Sequence, residues 1–103
     1  MSRRTISAHF RLLATEAGGR SGPLLSGYRS LLRFEGTGTD YGFELALDSP
    51  VRPDGVAPGA SGTGRLSIWA TQKLPRLVEG QKFEMREGTR VVGHGVIVEP
   101  NLG

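Results

Sequence analysis

The stretch that decides the fold is EMREGTRVVGHGVIV, residues 84–98. Before it, KFEMRE alternates Phe83 and Met85 with charged residues, the period-2 pattern of a strand with one buried face. After Glu87-Gly88-Thr89 comes RVVGHGVIVE, a valine-rich run suited to a second strand. Three residues between two such runs predict a tight antiparallel hairpin. Gly93 and Gly95 are the odd members, because a glycine weakens a strand unless a bulge or a close backbone approach needs it. The hairpin therefore predicts a bend or close packing at the Gly-His-Gly step, as at the corner of a barrel.

Working outward, the rest of the chain repeats the same period. SAHFRLLA, residues 7–14, places Ala8, Phe10 and Leu12 on one side. GYRSLLRFE, residues 27–35, sets Tyr28, Leu32 and Phe34 against Arg29, Arg33 and Glu35, with Leu31 out of phase. YGFELAL, residues 41–47, aligns Tyr41, Phe43, Leu45 and Leu47. GRLSIWATQ, residues 64–72, aligns Leu66, Ile68 and Ala70 and leaves Trp69 on the outward phase, where it needs a loop or a partner to cover it. Between these runs, TEAGGRSGP, residues 15–23, can only be a loop or bulged turn. Residues 48–64 hold three prolines and four glycines and are expected to form a long surface loop. KLPRLVEG, residues 73–80, is expected to cross one end of the domain. Six short antiparallel strands, each with one apolar face, are most economically closed into a barrel, because closure leaves no unpaired edge. The fold expected is all-β, a six-stranded closed antiparallel barrel.

Composition sets the outer limits. The 103 residues suit one domain, spanning 1–103, with a modest aliphatic core. Thirteen Lys and Arg against ten Asp and Glu give a net charge of +3, which permits a nucleic-acid partner without demanding one. Without Cys there is no thiolate ligand, thiol nucleophile or disulfide, and a reducing cytoplasm is the expected setting. No stretch approaches the roughly 18 apolar residues of a membrane helix. His9 and His94 are the only histidines and have no tight carboxylate cluster beside them, so neither metal nor cofactor is expected. Ser67, His94 and Asp48 can be written as a triad, but only geometry defines one.

Two stretches carry more than periodicity. EAGGRSGPLLSGYR, residues 16–29, resembles the motif E-x-G-G-R-x-x-P, two large apolar residues, x-G-Y-R, of the C-terminal domain of the bacterial elongation factor Tu family. GQKFEMREGTRVVGHGV, residues 80–96, resembles its later motif G-x-x-F-x-x-R-E-G-x-R-x-V-G-x-G-V. The likeness runs from about His9 to Val98 and fades between Asp48 and Gly64. It implies a six-stranded antiparallel barrel and, for these residues, a stand-alone homologue of that domain. In full-length factors of the family the barrel lies beside a second barrel and a GTP-binding domain, and touches the T-stem backbone of aminoacyl-tRNA, the exchange factor and the GTP-binding domain. No Gly-x4-Gly-Lys-Ser/Thr phosphate loop occurs here, so these residues are not expected to bind or hydrolyse GTP.

Carried over residue by residue, Glu87 and Gly88 match the family turn that meets the T-stem, and Lys73 falls where a basic residue makes the same contact. Leu31 and Tyr41 stand where the family has a glutamine and a threonine. The resemblance thus implies a non-catalytic, translation-linked binding module whose partner is a tRNA-like RNA or a translation protein. The alternative is a mimic or decoy that competes for proteins gripping the elongation factor. Candidate contact residues are Lys73, Arg86, Glu87, Gly88 and Arg90, with Tyr41 and Trp69 as apolar contacts. Their arginines can meet phosphates while Gly88 lets the backbone approach a ribose. The segment Arg86 to Arg90 also suits an ordinary hairpin turn whose charges pair on the surface, and Arg86 could brace that turn from within. Gly18-Gly19-Arg20 suits a turn better than an anion cradle, with Arg20 and Arg29 folded back on carbonyls or on Glu16.

Overall fold

A computed structural model describes residues 2–48, 55–70 and 74–102. Among them six strands form: β1 (Ser2–Leu12), β2 (Arg29–Phe34), β3 (Tyr41–Leu47), β4 (Ser61–Ala70), β5 (Lys82–Glu87) and β6 (Arg90–Glu99). All pair antiparallel and close into a barrel in the order β1-β4-β3-β2-β5-β6, with β6 returning to β1. Alternation explains the core. Ile6, Ala8, Phe10 and Leu12 point inward from β1 and meet Phe34, Phe43, Leu45, Leu66, Ile68, Phe83 and Met85 from the other strands. Each large apolar side chain so buried contributes about 1.5–3 kcal/mol. Phe34 sits edge-on to Phe83 at 6.1 Å, locking β2 against β5.

The hairpin that opened the sequence folds as expected. Glu87 pairs with Arg90 across Gly88-Thr89, and Gly88 takes φ +64, the left-handed conformation that glycine adopts without strain. Register slips by one residue between the Met85/Gly93 and Arg86/Val91 pairs, a bulge at Val92. The carbonyl of Val92 faces β1 and accepts from the N–H of Leu13 at 2.9 Å, continuing the β1–β6 ladder. Gly-His-Gly is explained by packing. Gly95 lies opposite Phe83, and a Cβ there would collide with that ring and come within 2.9 Å of the His9 carbonyl. At Gly93 a Cβ would lie 3.0 Å from the Arg11 carbonyl and 3.3 Å from the sulfur of Met85. His94 between them points outward and is exposed.

Two expectations need correction. β1 starts at Ser2, five residues before the alternating segment noticed in the sequence, because Arg3 to Thr5 pair with β4 although their side chains are polar. The loop expected over residues 48–64 is shorter at its C-terminal end: β4 begins at Ser61, and Gly62 and Gly64 are strand residues. Glycine is required there by contact. A Cβ at Gly62 would lie 2.8 Å from Val56 and 2.9 Å from the Phe10 ring, and one at Gly64 would lie 2.7 Å from the Ala46 carbonyl. Val56 is itself core, pairing with Leu24 through two 2.9 Å backbone hydrogen bonds. The remainder of that segment, residues 49–54, lies outside the described residues. Leu77, in the stretch before β5, inserts into the core as the end-crossing expectation requires.

Candidate functional site

The β5–β6 turn is held from an unexpected direction. The loop after β1 begins with a short 3-10 turn, Thr15–Ala17, closed by Gly18 at φ +94. That geometry delivers Arg20 to Glu87, where its guanidinium donates to the carboxylate Oε2 while also reaching the Pro23 carbonyl at 3.3 Å. Tyr28, just before β2, donates its hydroxyl to the same Oε2 at 2.7 Å. Arg20 also lies over the Tyr28 ring, 4.8 Å from its centroid. Arg90 donates to the other oxygen, Oε1, at 3.2 Å. Arg20 folds onto a carbonyl as expected, that of Pro23, but its carboxylate partner is Glu87 rather than Glu16, and it thereby joins the two sequence motifs. Its separation of 67 residues from Glu87 explains why spacing alone does not reveal the pair.

Electrostatics follow from this geometry. Partial burial disfavours the ionised carboxylate of Glu87, but hydrogen bonds from Tyr28 and Arg20, the charge of Arg20 and the bond from Arg90 outweigh it and hold its pKa below the usual carboxylate range. Burial pushes the Tyr28 phenol up, and acceptance of its proton by Glu87 adds to that. The cluster is therefore an ionised carboxylate fed by a neutral phenol and two guanidiniums.

Arg86 does not join a basic edge. Its side chain is 13% exposed and turns back on the hairpin, donating to the Thr89 carbonyl at 3.1 Å and to Glu84 at 3.2 Å. Ser30 donates to the Arg86 carbonyl, fastening the same position to β2. Arg86 braces the turn, and the Nε groups of Arg86 and Arg20 are buried without an acceptor, a cost that their other bonds offset. Arg90 is the exposed cation of the turn, at 55%. Gly88 and Thr89 are exposed between them. Lys73 lies outside the described residues.

The two apolar candidates separate. Tyr41 is corrected from surface contact to core: as the first inward residue of β3 it is 6% exposed and packs on Phe34 at 6.0 Å. Trp69 lies on the outer face, as its phase requires, and what covers it is charge. Arg3 and Arg29 each stand 5.3 Å from its ring centroid, and Gly42 beside it leaves room for the indole, whose Cε3 is 3.5 Å from where a Cβ would be. Arg29 thus lies outward, not folded back.

Among the described residues no group of three His, Cys, Asp or Glu is placed to hold a metal, and no helix is long and apolar enough to cross a membrane. Ser67 and His94, two members of the arrangement written as a triad, stand on β4 and β6 with β1 between them. The turn can accept and donate hydrogen bonds. Compared with known families, residues 1–100 match the family model of the elongation factor Tu C-terminal domain. The closed six-stranded barrel and the joining of both motifs at Glu87 agree with that match, and the chain belongs to the elongation factor Tu C-terminal domain family, a translation-factor-like β-barrel module.

Proposed function

We propose that the chain is a non-catalytic binding module that meets the sugar–phosphate backbone of a tRNA-like RNA with its β5–β6 turn. The observation that supports this most is the acceptor count at Glu87. An ionised carboxylate offers about four acceptor sites. Arg20, Tyr28 and Arg90 fill three of them, and the side chain remains 28% exposed. One site is left for an outside donor. A ribose 2′-hydroxyl is a donor of the right kind, and the absent side chain of Gly88 lets a backbone come close. Arg90 can then turn from Glu87 to a phosphate at little cost, since an exposed ion pair contributes only about 0–1 kcal/mol.

Titration of tRNA with the full chain at several salt concentrations tests this. Arg90→Ala should weaken binding and reduce the slope of log affinity against log salt by roughly 0.7 to 0.9. Arg90 is preferable to Arg86, whose removal would disturb the turn. A shallow salt response unaffected by Arg90→Ala would contradict an RNA partner and favour a protein one, as for a mimic competing for the elongation factor's partners.

A further inference from the structure

The outer face of β2, β3, β4 and β1 carries a second constellation, separate from the turn. A single cross-strand row runs Arg86, Leu31, Gly42, Trp69, Arg3 over five strands. Arg29 stands above it, opposite Glu44 on β3. Arg3 and Arg29 are both within 5.3 Å of the indole centroid. Both also share Glu44, each at 3.5 Å, the outer limit of a useful contact. Their side chains are 56% and 68% exposed, so neither guanidinium is committed. Arg65, exposed on the same side of β4, adds a third positive charge against the one glutamate.

We infer that this patch binds an unpaired nucleotide of an RNA strand, with the base stacked on Trp69 and the flanking phosphates taken by Arg3 and Arg29. The inference rests on the proposed function only in taking RNA as the partner. Three features converge on that occupant. Trp69 is partly exposed on the outer face with Arg3 and Arg29 over its ring, and once those guanidiniums move to phosphate its face is a stacking surface for any base, since every base has a π-face. Guanidiniums weakly tied to one shared carboxylate exchange readily onto phosphate, which they grip in a forked geometry. Paired bases do not offer their faces, so an unpaired nucleotide fits where a duplex does not. Trp69 lies three strand spacings from Arg86, roughly 14 Å across the sheet. One RNA can therefore lay a duplex at the turn and an unpaired residue here.

Trp69 is the only tryptophan, so its fluorescence reports this patch alone. The full chain would be titrated with a short single-stranded oligoribonucleotide, an abasic strand of equal length, a blunt RNA duplex and a polyglutamate peptide. Only the base-containing single strand should quench Trp69 strongly. Trp69→Ala, followed by anisotropy of a labelled oligonucleotide, should weaken single-strand binding roughly 5- to 140-fold and leave duplex binding unchanged. Arg3→Gln with Arg29→Gln, which keeps the indole, should reduce the single-strand salt slope by roughly 1.4. Single-strand binding without quenching, or equal quenching by the abasic strand or by polyglutamate, would overturn the inference. Quenching by the single strand with no duplex binding would leave it standing and remove the turn as a contact.

Discussion

Two clusters on the outside of this barrel are made of the same residue types and do opposite things. At the turn, Arg20, Tyr28 and Glu87 meet in a carboxylate whose oxygens are nearly saturated. On the sheet face, Arg3 and Arg29 attend Trp69 and divide Glu44 between them at 3.5 Å each. The difference lies in what the backbone requires. The loop from residue 13 to 28 is tied by backbone bonds to Val92, Val56 and Leu45, and Arg20 and Tyr28 add its side-chain fastening to β5. Around Trp69 the backbone is held by the barrel ladder itself, Trp69 between Arg3 and Gly42 and Arg29 against Glu44, so these side chains are not needed to fasten the chain. An arginine beside an aromatic ring and a glutamate is a staple or a receptor according to whether its chain needs holding.

The comparison can be broken or sharpened by substitution. The largest effect should come from the barrel wall formed by the β5–β6 hairpin. Gly95→Val places a side chain where the Phe83 ring and the His9 carbonyl already are, and should cost about 3 kcal/mol, the upper end for overpacking. Thermal melting should register this as a drop of roughly 4–8 °C per kcal/mol. Gly93→Val, with looser contacts, should cost less.

Arg20→Ala comes next, at about 1–2 kcal/mol, because it strips a charged hydrogen bond from a half-buried carboxylate. Its counterpart Arg3→Ala should change the melting temperature by less than about 0.5 kcal/mol equivalent. Equal losses in the two would erase the distinction between them. Arg86→Ala should fall between, about 1 kcal/mol, through the Thr89 carbonyl it releases.

Acid titration probes the turn. The pKa of Glu87 is depressed in the folded chain, so its contribution is present above the unfolded value of about 4.3 and is lost as pH falls through the folded pKa. Melting curves from pH 7 down to pH 3 should therefore show an acid limb that Glu87→Gln flattens. Glu44→Gln, the smallest expected effect, should barely move the melting temperature at neutral pH, since it gives up only two exposed contacts at 3.5 Å.

How much of this was legible in the sequence follows from which interactions have a period. Inward residues such as Phe10, Phe43, Ile68 and Met85 recur at every second position, so strands and core could be read directly. Gly62 reads as loop because a glycine demanded by a neighbouring ring looks, in sequence, like a glycine demanded by a turn. Tyr41 shows a different ambiguity, since the resemblance puts it at a contact position while its phase places it inside. The Arg20 to Glu87 bond has no period at all. Its only signal was that both residues fall in motifs of one resemblance. Trp69 was flagged by its outward phase, but the arginines beside it come from β1 and from the start of β2, and only strand order brings them together.

The central claim is that the β5–β6 turn recognises RNA through a ribose hydroxyl offered to the free acceptor site of Glu87. The most direct measurement is the affinity of the full chain for a blunt RNA duplex and for the DNA duplex of the same sequence, at one salt concentration. A hydrogen bond to a charged group is worth about 1.5–3 kcal/mol, so RNA should bind roughly 10-fold or more tightly. Equal affinity for the two duplexes would contradict the claim, leaving the turn as a brace within the barrel.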